Sequence, residues 1–332
     1  MVGSYYVLDL DFLDRAMVEW KSIFPTIKPY YAVKCNPHPL IIERLAKLGA
    51  GFDCASLTEI ELVGDKGSII YANPCKHPDE LKKAHELGIS MTTFDSISEL
   101  HKLSKYPMKV LMRIRADDKT AKCQLGNKYG AEETEWPELL TRVKAYGLDL
   151  VGISFHVGSG AQSEDAYVDA IKKAHKAIQL AKSYGLNPTI IDIGGGFTHG
   201  KIPTKDISAY TQGFEVIAEP GRFFAEKVAT LFTPVIGYKD NSVTIDESLY
   251  GAFNCRIFDH AKPEPSFGLY SGTQTLFGCT CDGIDVIYDN ISLPDLNIGD
   301  IIEWPNMGAY TMAATTSFNG MPFQRRQVLI KQ

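Results

Sequence analysis

"KPYYAVKCNPHPLIIERLAKLGAGFDCAS", residues 28–56, decides the fold. Its first seven residues read as a buried strand that ends on Lys34. "PLIIERLAKLG" then spaces its apolar residues as a helix does and stops on Gly49, a residue suited to the left-handed turn after a helix. "GFDCA" is a second short β-rich run, carrying Asp53. Strand, helix and strand in so few residues are the unit of a parallel sheet. Lys34 is the odd feature. It is either the solvated end of a strand or an amine in a pocket, where burial lowers its pKa and makes it a nucleophile.

The unit recurs along the chain. β-rich runs end near Lys34, Asp53, Asn73, Asp95, Arg113, His156, Gly194 and Glu219. Helical patterns such as "PDELKKAHELG", "EWPELLTRVKAYG" and "SEDAYVDAIKKAHKAIQLAKSYG" lie between most of them, several closing on glycine. Eight strands alternating with helices predict a (β/α)8 barrel of the TIM type rather than an open sheet. Active sites of such barrels sit at the C-terminal ends of the strands. Here those ends hold Lys34, Asp53, Asp95, Arg113, His156, the glycines 194–196 and Glu219, a nearly complete ring of ionisable groups and glycines. Two connections look too short for a crossover helix: "GDKGS" after Val63, and "THGKIPTKDISAYTQGF" after Phe197. Past about residue 230, "NSVTIDES", "GIDVIYD", "DIIEW" and "RRQVLI" alternate with Gly, Pro and Asn. They predict a β domain with a barrel-like sheet.

Composition narrows the function. A net charge of -6 without a Lys/Arg stripe argues against a nucleic-acid surface. No apolar run approaches the roughly 18 residues of a membrane span, and the start lacks a signal-peptide pattern. Seven scattered cysteines argue against a disulfide framework and favour a reducing, cytoplasmic setting.

Three loops carry chemistry. "FHVGSG" (155–160) and "DIGGGF" (192–197) put glycines directly after strands, where backbone N–H groups can approach an anion, and Ser159 adds a hydroxyl. "EPGRFF" (219–224) adds Arg222, suited to bidentate phosphate contact. Three such loops on successive strands predict a phosphate held at one side of the barrel mouth; the bland alternative is three ordinary turns. A lysine across the mouth from a phosphate cradle suits a pyridoxal phosphate (PLP) Schiff base, with Glu219 paired to the pyridinium nitrogen and His156 stacked on the ring.

"YAVKCN", "GFDCAS", "SFHVGSG", "DIGGGF", "AEPGRFF", "FNCRIFDHA", "CTCDGID" and "NMGAYT", in that order from about Tyr6 to Phe323, resemble the eukaryotic-type ornithine decarboxylases. These belong to the fold-type III PLP family, which also holds arginine and diaminopimelate decarboxylases. The resemblance implies a PLP-binding barrel over residues 11–229, a β domain over 230–332, and a head-to-tail homodimer with active sites at the interface. It implies Lys34 as the Schiff-base lysine, Glu219 as the pyridine-nitrogen partner and His156 as the stacking ring. Asp53 and Arg113 become pocket residues. Ser159, Gly195, Gly196, the turn Glu219, Pro220, Gly221 and Arg222, and Tyr310 surround the cofactor and its phosphate. From the other subunit come Cys281, to protonate the quinonoid carbon after carbon dioxide leaves, and Asp282, to bind the substrate's distal amine. Lys128 matches a lysine that pairs across the interface with the position of Asp285.

A cationic distal amine needs carboxylates, because an unpaired buried ammonium is costly. Asp282 and Asp259 supply two, beside Phe258, although "IFDHAK" by itself reads as an ordinary loop. Ornithine decarboxylases have Asp where a viral arginine-decarboxylating relative has Glu. Ornithine is therefore the expected substrate and putrescine the product; one methylene of reach is worth only about 1–3 kcal/mol, a margin narrow enough to leave lysine within reach. No second Cys/His pair accompanies "CTC", so a metal site is not expected; the thiol of Cys281 alone would read as merely buried.

Three features depart from the family. "IDESLYG" (245–251) stands where Asn-Asp-Gly is usual, and Phe258 stands where a tyrosine is usual, which removes a hydroxyl from the pocket wall. The chain opens close to the first motif, so the N-terminal strand of the β domain is expected either to be missing or to lie within residues 1–10. The rival readings are a sister decarboxylase for arginine, lysine or diaminopimelate, a PLP racemase on the same barrel, and a non-catalytic antizyme-inhibitor-like regulator. Intact Lys34, Asp53, Arg113, Gly194, Cys281 and Asp282 favour the enzyme. Antizyme binding and degradation signals are not legible.

Overall fold

The computed structural model describes residues 3–116, 121, 126–161, 163–200, 207–267 and 272–331. It divides into two compact units, Met17–Phe223, and Met1–Ala16 with Phe224–Gln332.

Strand β1 (Tyr5–Leu8) and helix α1 (Asp11–Ile23) precede the larger unit's barrel. Its strands are β2 (Ile27–Ala32), β3 (Gly51–Cys54), β4 (Ile69–Tyr71), β5 (Met91–Phe94), β6 (Lys109–Arg113), β7 (Asp149–Ser154), β8 (Ile190–Asp192) and β9 (Glu215–Ala218). They close in chain order, each parallel to the next, with β9 against β2. The eight expected strands are therefore the eight observed. Between them run α2 (Pro39–Lys47), α3 (Leu57–Val63), α4 (Pro78–Glu86), α5 (Ile97–Leu103), α6 (Trp136–Ala145), α7 (Glu164–Ser183) and α8 (Ile207–Thr211). Parallel strands buried on both faces need apolar runs, and Tyr30, Ile70, Leu111 and Ile217 meet in the core they form. Burying each such side chain stabilises the fold by about 1.5–3 kcal/mol.

The first short connection is complete: its helix, α3, lies ahead of "GDKGS" and ends on Gly64, whose φ is 58°. A capping box starts it. Ser56 Oγ accepts the Glu59 N–H at 3.3 Å, and Glu59 Oε2 accepts the Ala55 N–H at 2.6 Å. The second holds the single-turn α8, and residues 201–206 of it lie outside the described residues.

At α5 the Ser96–Glu99 pair has the same spacing, but the Glu99 side chain is diverted. It pairs with Lys76 at 2.8 Å and with Lys102 at 2.5 Å. The Lys76 ammonium, fully buried, also donates to the carbonyls of Asn73 and Thr93 at 2.8 Å each. This tethers the segments that follow β4 and end β5, and burial pushes the Lys76 amine down to about 8.

The smaller unit is a seven-stranded sheet of β1 with β10 (Ala229–Lys239), β11 (Ser242–Ile245), β12 (Gln274–Phe277), β13 (Val286–Ile291), β14 (Ile301–Trp304) and β15 (Gln327–Ile330). Its order is β13-β12-β11-β10-β1-β15, with β14 also on β10. The N-terminal strand is present: Tyr5–Leu8 pairs antiparallel with β10 and parallel with β15. β10 is the spine, and Trp304 Nε1 donates to Thr233 Oγ1 at 2.9 Å within the core behind it.

Candidate active site

Register assembles the barrel mouth. Ala32 of β2 lies beside Asp53 of β3, and Arg113, Ser154 and Asp192 stand side by side at the ends of β6, β7 and β8. Lys34 follows β2 in a single 3-10 turn, Val33–Cys35, and its amine pairs with Asp53 Oδ2. The Asp53 carboxylate is fully buried while 43% of the Lys34 side chain remains exposed. Lys34 is held by a buried acid with its flank open.

The loops after β7, β8 and β9 pack on one another. His156 Nδ1 accepts the Gly158 N–H at 2.9 Å, so the neutral ring carries its proton on Nε2. The Glu219 N–H donates to the Gly194 carbonyl at 2.7 Å, and Tyr167 donates its hydroxyl to the Gly195 carbonyl at 2.9 Å. A Cβ on Gly195 would stand 2.9 Å from His156 Nε2, and one on Gly196 would stand 2.6 Å from the Tyr167 hydroxyl, at a φ of 104°. These glycines are thus required first by loop-on-loop packing. Arg222, buried at the start of the short helix Arg222–Ala225, reaches Ser159 Oγ at 3.5 Å. Pro220 accepts the Ala32 N–H at 3.3 Å, and Gly221 packs against Cys35 and Ala32.

The mouth is crowded with acid. Burial raises the Glu219 carboxyl well above its usual range, and the neighbouring Asp192 and Asp53 raise it further. Burial pushes Asp192 up to about 7, against the lowering effect of the Gly194 N–H on its Oδ1 at 2.9 Å. Desolvation and the adjacent Asp192 both favour the protonated form of Glu219. His156 is pushed the other way, down to about 3, by burial and by the positive charges of Arg113 and Lys34. Its ring is neutral. Arg113 lies 5.0 Å from the Tyr129 ring centre. Asp95, expected in the ring of strand ends, accepts the Gly130 N–H at 2.9 Å.

Asp192 is the residue that sequence reading missed. "DIGGGF" announces its glycines, but nothing local signals that its aspartate stands level with Arg113 and faces Glu219.

The residues expected around the substrate lie in the smaller unit. Cys281 is exposed, and its N–H donates to Asn319 Oδ1 at 2.8 Å. Asp282 accepts the Tyr250 hydroxyl at 2.5 Å and the Ile284 N–H at 3.1 Å, which hold its carboxyl below its usual range. Cys279 differs from Cys281: burial pushes its thiol up to about 12. Phe258 is 68% exposed, whereas Asp259 beside it is buried. Tyr310 sits at a φ of 56°, a strained setting for a bulky residue. Next to it Thr311 is buried, its carbonyl accepting from Asn254 Nδ2 at 2.7 Å. Asp285, expected to meet Lys128 of the other subunit, is braced within its own chain. It is buried and accepts from Ser248, the Leu249 N–H, and both the N–H and hydroxyl of Thr280. Lys128 lies over the Tyr129 ring at 4.9 Å. The departing "DES" thus has its own work: Ser248 braces Asp285, while Asp246 and Glu247 pair with Arg326 at 2.9 and 3.3 Å.

The barrel mouth fits PLP on its own chemistry. Asp53 Oδ1 is buried without a hydrogen-bond partner among the described residues, which leaves an acceptor for a donor of the bound cofactor. Arg222 and Ser159 offer donors for a phosphate. Among the described residues no helix is long and apolar enough to cross a membrane.

The pyridoxal-binding domain of pyridoxal-dependent decarboxylases matches residues 10–226. A chloroplastic ornithine decarboxylase of Nicotiana glauca is 40% identical over 95% of this chain and 81% of its own. Antizyme inhibitor 2 of Xenopus laevis is 39% identical over 98% of this chain and 80% of its own. The crystal structure of the Paramecium bursaria Chlorella virus arginine decarboxylase superposes with a TM-score of 0.92 at 39% identity, covering 100% of this chain and 96% of that one.

Proposed function

This chain belongs to the fold-type III pyridoxal-dependent decarboxylases, whose cofactor is PLP, and on that premise we propose that it converts L-ornithine to putrescine and carbon dioxide. The observation that carries the reading is the Lys34–Asp53 pair at the neighbouring ends of β2 and β3 in the barrel mouth. Lys34 would hold the cofactor covalently, and Asp53 keeps that amine oriented. Glu219 and Asp192 would face the ring nitrogen, His156 would lie against the ring as a neutral plate, and Ser159, Arg222 and the glycine loops would take the phosphate, with Tyr310. When bound, PLP supplies the sink for the electron pair left as the carboxylate departs. Cys281 would then deliver a proton to the substrate carbon, and Asp282 and Asp259 would hold the distal ammonium.

Cys281 suits the acid's role because it is exposed, whereas burial makes the Cys279 thiol a weaker acid. The reading includes a homodimer in the cytoplasm, each site borrowing Cys281 and Asp282 from the partner. Mixing Lys34→Ala with Cys281→Ala protomers should then restore part of the activity; no recovery despite demonstrated subunit exchange would count against shared sites.

The similarity to an antizyme inhibitor supports a second reading, a non-catalytic regulator on the same fold. Release of carbon dioxide from L-ornithine, L-lysine and L-arginine by the PLP-supplied protein separates the readings. Ornithine turnover well above the others is expected. A preference for lysine or arginine selects a sister decarboxylase, and no turnover at all selects the regulator.

A further inference from the structure

Two neighbouring residues, Phe318 and Asn319, reach two other neighbours, Cys281 and Asp282, some forty positions earlier in the chain. Asn319 Oδ1 accepts the Cys281 N–H at 2.8 Å. The Phe318 ring stacks on Tyr250 with centres 4.2 Å apart and planes 21° from parallel. Tyr250 in turn donates its hydroxyl to Asp282 Oδ2 at 2.5 Å.

The backbone that makes this double reach is tightly specified. Asn319 is left-handed, with φ 55° and ψ 16°, and Gly320 follows at φ 70°. Asparagine tolerates that region better than most residues. The turn is closed by the Gly320 N–H on the Ser317 carbonyl at 2.9 Å, and Thr316 anchors it, donating its N–H to the Tyr250 carbonyl at 2.9 Å. The Phe318 N–H donates back to Thr316 Oγ1 at 3.2 Å. So one turn is fastened to Tyr250 by main chain and by ring, and to Cys281 by a side-chain amide. Cys281, exposed, and Asp282, half-buried, lie on a loop, where such a pair would otherwise sample many orientations.

Resting on the reading above, we propose that Phe318 and Asn319 form a clasp that presents the acid and the amine-binding carboxylate as one unit. Asn319 fixes the main chain under Cys281 and is a positioning residue for proton delivery. Phe318 fixes the Tyr250 ring and through it the Asp282 carboxylate, and is a positioning residue for the substrate's far end. The two arms act on different steps and so have separable signatures.

The test uses the full-length holoenzyme and three variants. Asn319→Gly keeps the left-handed turn and removes the acceptor. It should lower kcat about tenfold, the scale of one hydrogen bond lost under a catalytic group, with KM little changed. It should also change the rate at which iodoacetamide alkylates Cys281, measured by peptide mass on protein without substrate. Asn319→Asp retains both turn and acceptor and should recover kcat and alkylation rate to within about threefold. Phe318→Leu should instead raise KM several-fold with kcat largely held. Wild-type kcat and wild-type alkylation in Asn319→Gly overturn the clasp, as does an Asn319→Asp variant as impaired as Asn319→Gly. Cys281→Ala separates this outcome from failure of the underlying reading. If that variant keeps wild-type turnover, Cys281 is not the acid, whereas the alkylation comparison still reports on Asn319.

Discussion

In the barrel unit, Asp53, Asp192 and Glu219 stand at strand ends or just beyond, where the register of neighbouring strands fixes each acid. In the smaller unit, Cys281 and Asp282 stand on an exposed loop, fixed by side chains from Tyr250 and Asn319. The first region uses backbone order to crowd like charges out of water, and Asp192 and Glu219 answer with raised proton affinities. The second leaves Cys281 exposed and fixes it and Asp282 by hydrogen bonds that set where they point. Substitutions in the mouth should therefore disturb charge, and substitutions around the loop should disturb geometry.

The largest expected effect breaks the comparison at the loop. Cys281→Ala should lower kcat about 10²–10⁴-fold, the range for losing a positioned general acid, while Cys279→Ala stays within about twofold. Equal losses at both positions would mean that the distinction between the exposed and the buried thiol is wrong. Asp282→Asn should come next, raising KM for L-ornithine about tenfold with a smaller change in kcat. A steady-state analysis in which kcat alone falls would remove Asp282 from substrate binding.

In the mouth, the raised carboxyls make stability depend on pH. A carboxyl whose folded pKa is raised binds its proton more tightly folded than unfolded. Its contribution is complete below the usual carboxylate range of about 4 and is lost as pH rises through about 7 for Asp192. Asp192→Asn should therefore raise the melting temperature of cofactor-free protein at pH 8 by roughly 2–5 °C, and by less at pH 5. A shift that is the same at both pH values would show that Asp192 is not strained by its charge.

The smallest effect is a flat line. The His156 imidazole, held down to about 3, should not titrate between pH 5 and 8 in an NMR experiment. Its unfolded ring takes up a proton near 6.5, so its contribution to stability is present above that pH and declines as pH falls towards 3. A midpoint near 6.5 in the folded protein would place the ring in water rather than in the mouth.

Much of the barrel was legible because parallel strands buried on both faces must be apolar runs, and because helices ending on Gly49, Gly88, Gly147 and Gly185 announce their ends by left-handed glycines. Helix α3 was harder to read, since "LTEIELV" spans only seven residues and leans on Ser56 and Glu59 for its start. β10 was hidden by Pro234 and Gly237 within it, and by a domain boundary drawn near its start. At the site, Lys34, Glu219 and Cys281 stood out by motif. Asp192, Phe318, Asn319 and Tyr250 did not, because their partners lie on other strands or tens of residues away, and no local spacing encodes such contacts. The diversion of Glu99 to Lys76 has the same origin: the capping signature was local, but the buried ammonium that outbid it was not.

The central claim is that the amine at the end of the first barrel strand exists to hold PLP. The direct measurement is borohydride reduction of the PLP-supplied protein followed by peptide mass mapping. A pyridoxyl adduct on the peptide carrying Lys34, absent from Lys34→Ala, is the predicted result. An adduct confined to another lysine, or none at all, would contradict the account.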